Sequence, residues 1–218
     1  RPRYILLENV RNLKTHDGGN TYREIVRSLD EEAGYNISTG IFNTADFGLP
    51  QNRRRVFIFG VRKHIGSIPQ LTFDPSVIKT HFEKNKNGCS LNFHQTVLDS
   101  LLEKEVPPKY YLSQKIKPTI LANGSKNFKS KSEINQIIAR PLTATMVKMH
   151  RACQDNYYCD EFLNADDPIA FSELKFPKEE IAKREIRRLT PLEALKLQGF
   201  DEIFHKRSAE AGLSDTQI

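Results

Sequence analysis

The sequence predicts an α/β protein: half of a sheet domain followed by a smaller, irregular and loop-rich domain. Short apolar runs typical of strands occur within the first 61 residues, and one amphipathic helical pattern lies between them. From about Ile68 onward the sequence becomes rich in Pro, Lys, Asn and Ser. We therefore predict one domain over residues 1–75, a second over residues 76–187, and a helix and tail over residues 188–218.

The first predicted element is a strand over residues 4–7, directly followed by Glu8. A continuous apolar run is typical of a strand that is buried on both faces of a parallel sheet, and functional groups often follow the C-terminal ends of such strands. A central strand needs neighbours on both sides. Because the only methionines are Met146 and Met149, no initiator precedes this strand, and we expect further strands upstream in a longer protein.

A helix and two more strands complete the predicted first domain. Thr21 is expected to cap the helix with Glu24 as its capping-box partner, and Gly34 is expected to end it. Strands are predicted over residues 35–44 and 56–61. The order strand, helix, strand, strand is that of the second half of an α/β sheet domain.

Polar and basic residues precede the last of these strands. If residues 51–60 are extended, Gln51, Arg53 and Arg55 point to one face, while Asn52 and Arg54 point to the other. Two guanidiniums and an amide on one face suit phosphate oxygens or a carbonyl oxygen of a base. The alternative is a solvated strand end whose arginines pair with surface carboxylates.

The second domain shows only short periodic segments, which predicts a loop-rich module. A well-signalled helix follows it. Thr190 provides an N-cap, Pro191 the first helical position and Glu193 the capping-box carboxylate, while Gly199 provides the stop.

Composition limits the function further. The chain has 218 residues, of which 38% are hydrophobic and 28% charged, and it contains neither an apolar run long enough to cross a bilayer nor a signal-peptide pattern, so we expect a cytoplasmic protein. A net charge of +6 is compatible with a polyanionic partner. Cys89, Cys153 and Cys159 lack zinc-ligand spacing, so we expect neither a metal nor disulfides.

Three segments resemble motifs of the DNA cytosine-5 methyltransferases, in family order and at similar separations. Residues 7–10 resemble the Glu-Asn-Val motif, and residues 48–55 resemble the Gln-x-Arg-x-Arg strand. Residues 188–200 resemble the Arg-x-Leu-Thr-x-x-Glu helix that ends in Leu-Gln-Gly-Phe. The resemblance implies the C-terminal half of a Rossmann-like methyltransferase sheet domain, joined to a target-recognition domain that binds double-stranded DNA.

The resemblance also implies a mechanism. The family flips the target cytosine out of the duplex, adds a cysteine thiolate to C6, and transfers a methyl group from S-adenosyl-L-methionine to C5. Glu8 resembles the carboxylic acid that bonds cytosine N3. Arg55 resembles the donor to O2, and Arg53 is expected to support the active-site loop or bind a phosphate.

The nucleophile of the family lies in a Pro-Cys loop that precedes Glu-Asn-Val, and no cysteine of this chain precedes Glu8. The family's glycine-rich cofactor loop is also upstream. We therefore expect this chain alone to be inactive and an N-terminal catalytic part to complete a monomeric bacterial enzyme of a restriction–modification system. The alternatives are a subunit of a split methyltransferase and a DNA-binding module without catalytic function.

Residues 140–158 resemble part of the family's variable target-recognition domain. Pro141 stands where many members have Thr, and Thr143 is expected to replace it. Packing in the core, rather than stacking on bases, is predicted for Met146, Met149, Tyr157 and Tyr158. The predicted DNA contacts are Asn9, Val10, Gln51, Thr143, Thr145, Lys148, His150, Arg151, Gln154 and Asn156.

Overall fold

The computed structural model describes residues 1–65, 73–88, 93–99, 102–103, 105–127 and 129–218. The chain forms two compact units. Unit 1 consists of Arg1–Phe47 and Arg53–Ser90, and unit 2 consists of Gly48–Asn52 and Leu91–Ile218. The domain boundaries at residues 75 and 187, which follow from composition and family resemblance, stay predictions for the complete protein.

Unit 1 is built on a three-stranded antiparallel sheet. Its elements are β1 (Tyr4–Val10), α1 (Asn20–Arg27), β2 (Tyr35–Asn43), β3 (Arg54–Arg62) and α2 (Pro75–Asn85). The strand order is β1-β3-β2, with β3 antiparallel to both neighbours. Phe57 of β3 lies opposite Glu8 of β1 and Gly40 of β2. Both strands predicted after α1 are confirmed.

Each face of this sheet is covered by different residues. On one face Ile58 is 3% exposed, and Tyr22 of α1 donates from its hydroxyl to Thr39 Oγ1 at 2.7 Å. On the other face Phe42 packs against Phe57 and Phe73, with ring centroids 5.5 and 5.1 Å apart. The sheet therefore has an aliphatic face toward α1 and an aromatic face toward the segment before α2.

The strand β1 differs from its prediction. It extends to Val10, so that Glu8 lies within the strand, and among the described residues it pairs only with β3, in antiparallel orientation. Tyr4, Leu6 and Leu7 are 55%, 59% and 42% exposed. Within the described residues β1 is therefore an exposed edge strand with an antiparallel neighbour, and the further strands expected upstream stay a prediction.

The helix α1 begins differently from its prediction, whereas its end is confirmed. Three successive residues, Asp17, Gly18 and Gly19, have left-handed backbones, and the helix begins directly after them at Asn20. Thr21 bonds the ring of His16 and Glu24 pairs with Arg27, so the predicted capping box is wrong. A single π turn, Ser28–Glu32, follows α1, and the chain reverses at Gly34, whose φ is 75°.

The helix α2 was not predicted from the sequence. Its signals are Asp74, which accepts hydrogen bonds from the amides of Ser76 and Val77, and Pro75 at the first helical position. The hydrogen bonds of the Asp74 carboxylate lower the pKa of that group. The weak apolar periodicity of the segment concealed the helix.

Unit 2 consists of short elements joined by long loops, as the loop-rich prediction requires. They are α3 (Lys117–Leu121), β4 (Tyr157–Cys159), α4 (Asp160–Leu163), α5 (Pro168–Glu173), α6 (Lys178–Ile181), β5 (Ile186–Arg188), α7 (Pro191–Leu197) and α8 (Glu202–Glu210). The strands β4 and β5 pair in antiparallel orientation.

The core of unit 2 contains the residues predicted to pack there, with one exception. Tyr157 and Tyr158 are 2% and 0% exposed, and Met146 packs against the core. Met149 is 38% exposed, so its predicted packing is wrong. It ends a short 3-10 turn, Met146–Lys148, with a left-handed backbone that places it at the surface.

A buried ion pair connects β5 with α7. Arg187 donates from both terminal nitrogens to the Glu193 carboxylate at 2.8 and 2.9 Å, and both side chains are 0% exposed. The same carboxylate accepts hydrogen bonds from the amides of Thr190 and Glu103. The predicted capping box of Thr190 and Glu193 is confirmed.

The arginine of the Arg-x-Leu-Thr-x-x-Glu motif is Arg187, whereas the sequence prediction began the motif at Arg188. The pattern Arg-x-Leu-Thr-x-x-Glu requires two residues between the arginine and threonine, which identifies Arg187 rather than Arg188. The Arg188 guanidinium instead lies over the ring of Tyr110, 5.5 Å from its centroid.

Replacing Glu193 by Gln is expected to lower the free energy of unfolding by about 3–5 kcal/mol, because the charge of Arg187 is then buried without a counter-ion. Urea unfolding followed by circular dichroism measures this loss. The matched control is Glu83→Gln, which removes an exposed partner of Lys86 and is expected to cost less than about 1 kcal/mol. Equal losses in the two variants contradict a stabilising role of the buried pair.

Candidate functional site

The predicted acid and one of the predicted arginines are in direct contact in unit 1. Arg55 Nε lies 2.7 Å from Glu8 Oε1. Their contact follows from strand register: Glu8 lies opposite Phe57, and Arg55 is two residues before Phe57 on the same strand face. Such diagonal neighbours are within reach of long side chains. The exposed fractions are 20% for the Arg55 side chain and 46% for Glu8, so the pair is open to a ligand.

Arg53 belongs to the same cluster. Burial lowers the pKa of its guanidinium, the charge of Arg55 acts in the same direction, and Glu8 opposes both. The structure thus brings the three predicted catalytic residues together as two guanidiniums and one carboxylate. This composition can offer several donors and one carboxyl group to the polar edge of a small ring. The contact of Arg55 with a half-exposed carboxylate is equally the arrangement that the solvated-strand alternative predicts.

Asn9 and Val10, the other predicted site residues of β1, are both exposed. The Asn9 side-chain oxygen accepts a hydrogen bond from the Val10 amide at 2.8 Å. Asn9 points to the opposite sheet face from Glu8, because side chains alternate along a strand. Their predicted contacts with DNA stay predictions.

Gln51 belongs to unit 2, whereas Arg53 and Arg55 belong to unit 1. Its side chain is 2% exposed, Nε2 donates to the Leu197 carbonyl at 3.2 Å, and Oε1 accepts from the Leu142 amide at 3.4 Å. The strand begins only at Arg54, so the predicted convergence of Gln51 with Arg53 and Arg55 on one strand face is wrong. A direct contact of Gln51 with DNA finds no support in this burial.

A surface groove in unit 2 brings together four of the predicted DNA contacts. Its volume is about 340 Å³. Arg140 is a groove residue that was not among the predicted DNA contacts, although it begins the Arg-Pro-Leu-Thr segment that resembles the target-recognition domain. The lining residues are Arg140, Pro141, Thr143, Thr145, His150, Cys153 and Gln154.

The remaining predicted contacts of unit 2 have varied surroundings. Asn156 is 6% exposed and bonds the backbone of Arg140 through both its side-chain atoms. Lys148 is exposed on the short turn, and Arg151 donates to the Asn123 carbonyl at 2.8 Å. Thus Lys148 is placed to meet a partner, whereas Asn156 has an internal function.

The position of His150 depends on a buried carboxylate. Asp155 is 7% exposed, and its Oδ2 accepts from the His150 amide at 2.9 Å and lies 3.4 Å from His150 Nδ1. Burial raises the pKa of Asp155, and these contacts with His150 oppose that shift. Asp155 therefore holds both the backbone and the ring of His150 at the groove.

Neither metal-binding nor membrane-spanning features occur in the part of the chain that the structure describes. No group of three His, Cys, Asp or Glu residues could hold a metal ion there, and no described helix is long and apolar enough to cross a membrane. Cys153 and Cys159 are buried and free, while Cys89 lies outside the described residues.

Comparison with known families gives a match over almost the whole chain. The model of the family described as C-5 cytosine-specific DNA methylase matches residues 1–217.

Two curated relatives show the extent of the similarity. The type II methyltransferase M1.ScrFI of Lactococcus lactis subsp. cremoris is 34% identical over 94% of this chain and 44% of its own length. The type II methyltransferase M.HaeII of Haemophilus aegyptius is 29% identical over 94% of this chain and 52% of its own length. The chain spans about half the length of these relatives.

Solved structures show the same fold. The methyltransferase EhMeth of Entamoeba histolytica has a TM-score of 0.57 at 19% identity, over 100% of this chain and 56% of that one. The Dnmt2 methyltransferase of S. pombe has a TM-score of 0.57 at 18% identity, over 92% of this chain and 56% of that one.

Replacing Gln51 by Ala is expected to lower the free energy of unfolding by about 1–3 kcal/mol, because the Leu142 amide and Leu197 carbonyl lose their partner. Chemical denaturation measures the change. The control is Gln154→Ala at an exposed position, for which we expect a change within about 0.5 kcal/mol. If both variants are as stable as the unmodified protein, Gln51 has no structural role.

Proposed function

Because this chain belongs to the C-5 cytosine-specific DNA methylase family, we propose that it holds the target cytosine and recognises DNA in an enzyme that methylates cytosine C5. The observation that carries the proposal is the contact of Glu8 with Arg55, next to Arg53. The type II methyltransferases that match 94% of the chain support an origin in a bacterial restriction–modification system.

The chemistry requires an electron sink. Cytosine C5 takes up a methyl group only after a nucleophile has added to C6, and the addition pushes electrons toward N3 and O2. A carboxylic acid at N3 and a guanidinium at O2 stabilise that charge. N3 and O2 are neighbours on the ring, so two groups already in contact, such as Glu8 and Arg55, suit them.

Entry of the base changes the contacts within the cluster. A carboxylic acid can donate to N3 only when it is neutral, and exclusion of water favours the neutral form. We therefore propose that Arg55 exchanges its bond with Glu8 for cytosine O2 as the base enters. Arg53 then remains near Arg55 as a second positive charge and supports the active-site loop or binds a phosphate. Extrusion of the base costs a few kcal/mol, which these contacts offset.

The methyl donor of the proposed reaction is S-adenosylmethionine, but the described cluster does not fit it. The sulfonium of this cofactor is positively charged, and a cluster of two guanidiniums with one carboxylate repels it. The charge of the cluster suits the electron-rich edge of cytosine instead. We propose that residues outside this chain bind the cofactor.

We also propose that residues outside this chain supply the nucleophile, because the family resemblance implies a cysteine that precedes the Glu-Asn-Val motif and this sequence has its three cysteines after Glu8. We propose an N-terminal catalytic part, in the same polypeptide or as a partner subunit, and a monomeric complete enzyme in the bacterial cytoplasm. Among the described residues β1 is an edge strand, and this edge together with the exposed Tyr4, Leu6 and Leu7 offers a surface for further strands. Without that part, the chain is expected to be inactive.

A DNA-binding module without catalytic function is the second candidate. The observation in its favour is that the groove of unit 2 consists entirely of residues of this chain and contains four of the predicted DNA contacts. The two candidates differ in one measurable property, which is methyl transfer by the complete protein.

In the complete protein, Glu8→Gln is expected to slow transfer of labelled methyl groups from S-adenosylmethionine to DNA by about 100- to 10,000-fold, the usual contribution of an acid catalyst. Binding to duplex DNA is expected to be nearly unchanged. Glu24→Gln, on the exposed surface of α1, is the matched control and is expected to retain full activity. Full activity of Glu8→Gln refutes the acid role, and no transfer by the unmodified protein supports the binding module.

Replacing Arg55 by Met is expected to reduce kcat by about 100- to 1,000-fold, because one donor to the developing negative charge is lost. Single-turnover methylation separates this loss from effects on DNA release. The control is Arg62→Met at the far end of β3, where the guanidinium donates to the Arg1 carbonyl. A variant with an unchanged kcat and a raised KM shows that Arg55 contributes only to binding.

A further inference from the structure

The backbone around Arg140 is held by hydrogen bonds from residues that are remote in sequence. Asn156 Oδ1 accepts from the Arg140 amide at 2.7 Å, and Asn156 Nδ2 donates to the Arg140 carbonyl at 3.1 Å. The preceding residue, Ala139, donates to the Pro50 carbonyl and accepts from the Asn52 amide, both at 2.8 Å. Four hydrogen bonds therefore fix the backbone of two consecutive residues, which sets the point from which the Arg140 side chain extends.

The charge of Arg140 has only a long ion pair among the described residues of unit 2. Its ion pair among the described residues is with Glu133 at 3.7 Å, which is too long for a hydrogen bond, and Glu133 is 49% exposed. Arg140 Nε is buried without a hydrogen-bond partner in the described structure. Arg140 also lines the groove, so an anionic ligand there can meet a guanidinium that has only a long ion pair within the unit.

The rest of the groove also suits an anion. None of its described lining residues is acidic, and the hydroxyls of Thr143 and Thr145 lie 3.4 Å apart. His150 lies at the groove with its Nδ1 near Asp155, so Nε2 is the ring nitrogen that a ligand can reach. A guanidinium, an imidazole and two hydroxyls are the donors that typically bind phosphate oxygens.

The concave shape of the groove favours a DNA phosphate over a base edge as its ligand. Base edges lie at the bottom of the DNA grooves, where only protruding protein elements reach them, whereas phosphates form the convex ridges of the duplex. A concave surface therefore fits a phosphate ridge. The turn beside this groove, Met146–Lys148, is followed by the left-handed Met149, and Val147 and Met149 are both 38% exposed. This turn is the exposed segment beside the groove.

We propose that Arg140 and its groove bind a phosphate of the DNA backbone, that Asn156 is a positioning residue for Arg140, and that the turn at residues 146–149 reads the bases. The inference rests on the proposed function, because it assumes that the substrate is duplex DNA. It assigns to Arg140 a contact that sets the register of the protein on DNA, without sequence preference of its own.

The experiment measures binding of the full chain to a panel of labelled duplexes of different sequence over a range of salt concentrations. Arg140→Ala is expected to weaken binding about tenfold on every duplex and to reduce the slope of log K against log salt by about 1. Arg140→Lys keeps a positive charge and is expected to retain the slope and most of the affinity. Lys175→Ala, an exposed lysine outside the groove, is the charge-matched control and is expected to change little.

Several outcomes overturn the inference. Unchanged affinity and slope in Arg140→Ala remove Arg140 from the interface, and a relaxed preference at one base pair makes it a base reader. If the unmodified chain binds these duplexes, such results leave the proposed function intact. If the unmodified chain binds none of them, the DNA-binding part of the proposed function and this inference both fail.

A double-variant comparison tests Asn156. If Asn156 acts through Arg140, the variant Arg140→Ala with Asn156→Ala binds DNA as tightly as Arg140→Ala alone. If the role of Asn156 is merely structural, the single variant Asn156→Ala binds DNA with unchanged affinity once it is folded. Circular dichroism checks that the variant is folded. Additive losses in the double variant show an independent contact and overturn the positioning role.

Discussion

The buried pair of Arg187 and Glu193 is the interaction on which unit 2 depends. A bidentate ion pair with both side chains fully buried is tolerable only when the remaining polar atoms are also bonded, and here Glu193 additionally receives the amides of Thr190 and Glu103. The pair therefore joins β5, the start of α7 and a loop about 90 residues earlier. The strands of unit 2 are short, so buried polar contacts such as this one, rather than an extended sheet, hold its segments together.

Hydrogen bonds also connect the end of α7 with the groove of unit 2. The carbonyl of Leu197 accepts from Gln51, whose side chain also bonds the Leu142 amide. Leu142 lies two residues after Arg140, which Asn156 holds from the other direction. A continuous set of hydrogen-bonded residues thus reaches from the helix to the groove, and the irregular loops are fixed by side chains that are remote in sequence.

In unit 1, the register between β1 and β3 determines which side chains of the candidate site meet. Glu8 and Arg55 meet because β1 and β3 pair with Val10 opposite Arg55, and a slip by one residue would place one of them on the other sheet face. The aromatic residues Phe42, Phe57 and Phe73 pack on the same face and oppose such a slip. The cluster proposed to hold cytosine therefore depends on the packing of the sheet rather than on local sequence.

The sequence by itself determined the features that depend on near neighbours. Periodicity identified β2 and β3, and the spacing of Thr190 and Glu193 identified the cap of α7, because strand alternation and capping bonds span only a few residues. The motifs also identified the family and placed Glu8, Arg53 and Arg55 in one cluster. Only the tertiary structure decided that Gln51 is buried, that Asn156 holds Arg140 and that Arg187 is the paired arginine. Each of these depends on partners that only packing brings close, such as Leu197, 146 positions from Gln51, and a linear pattern does not encode such contacts.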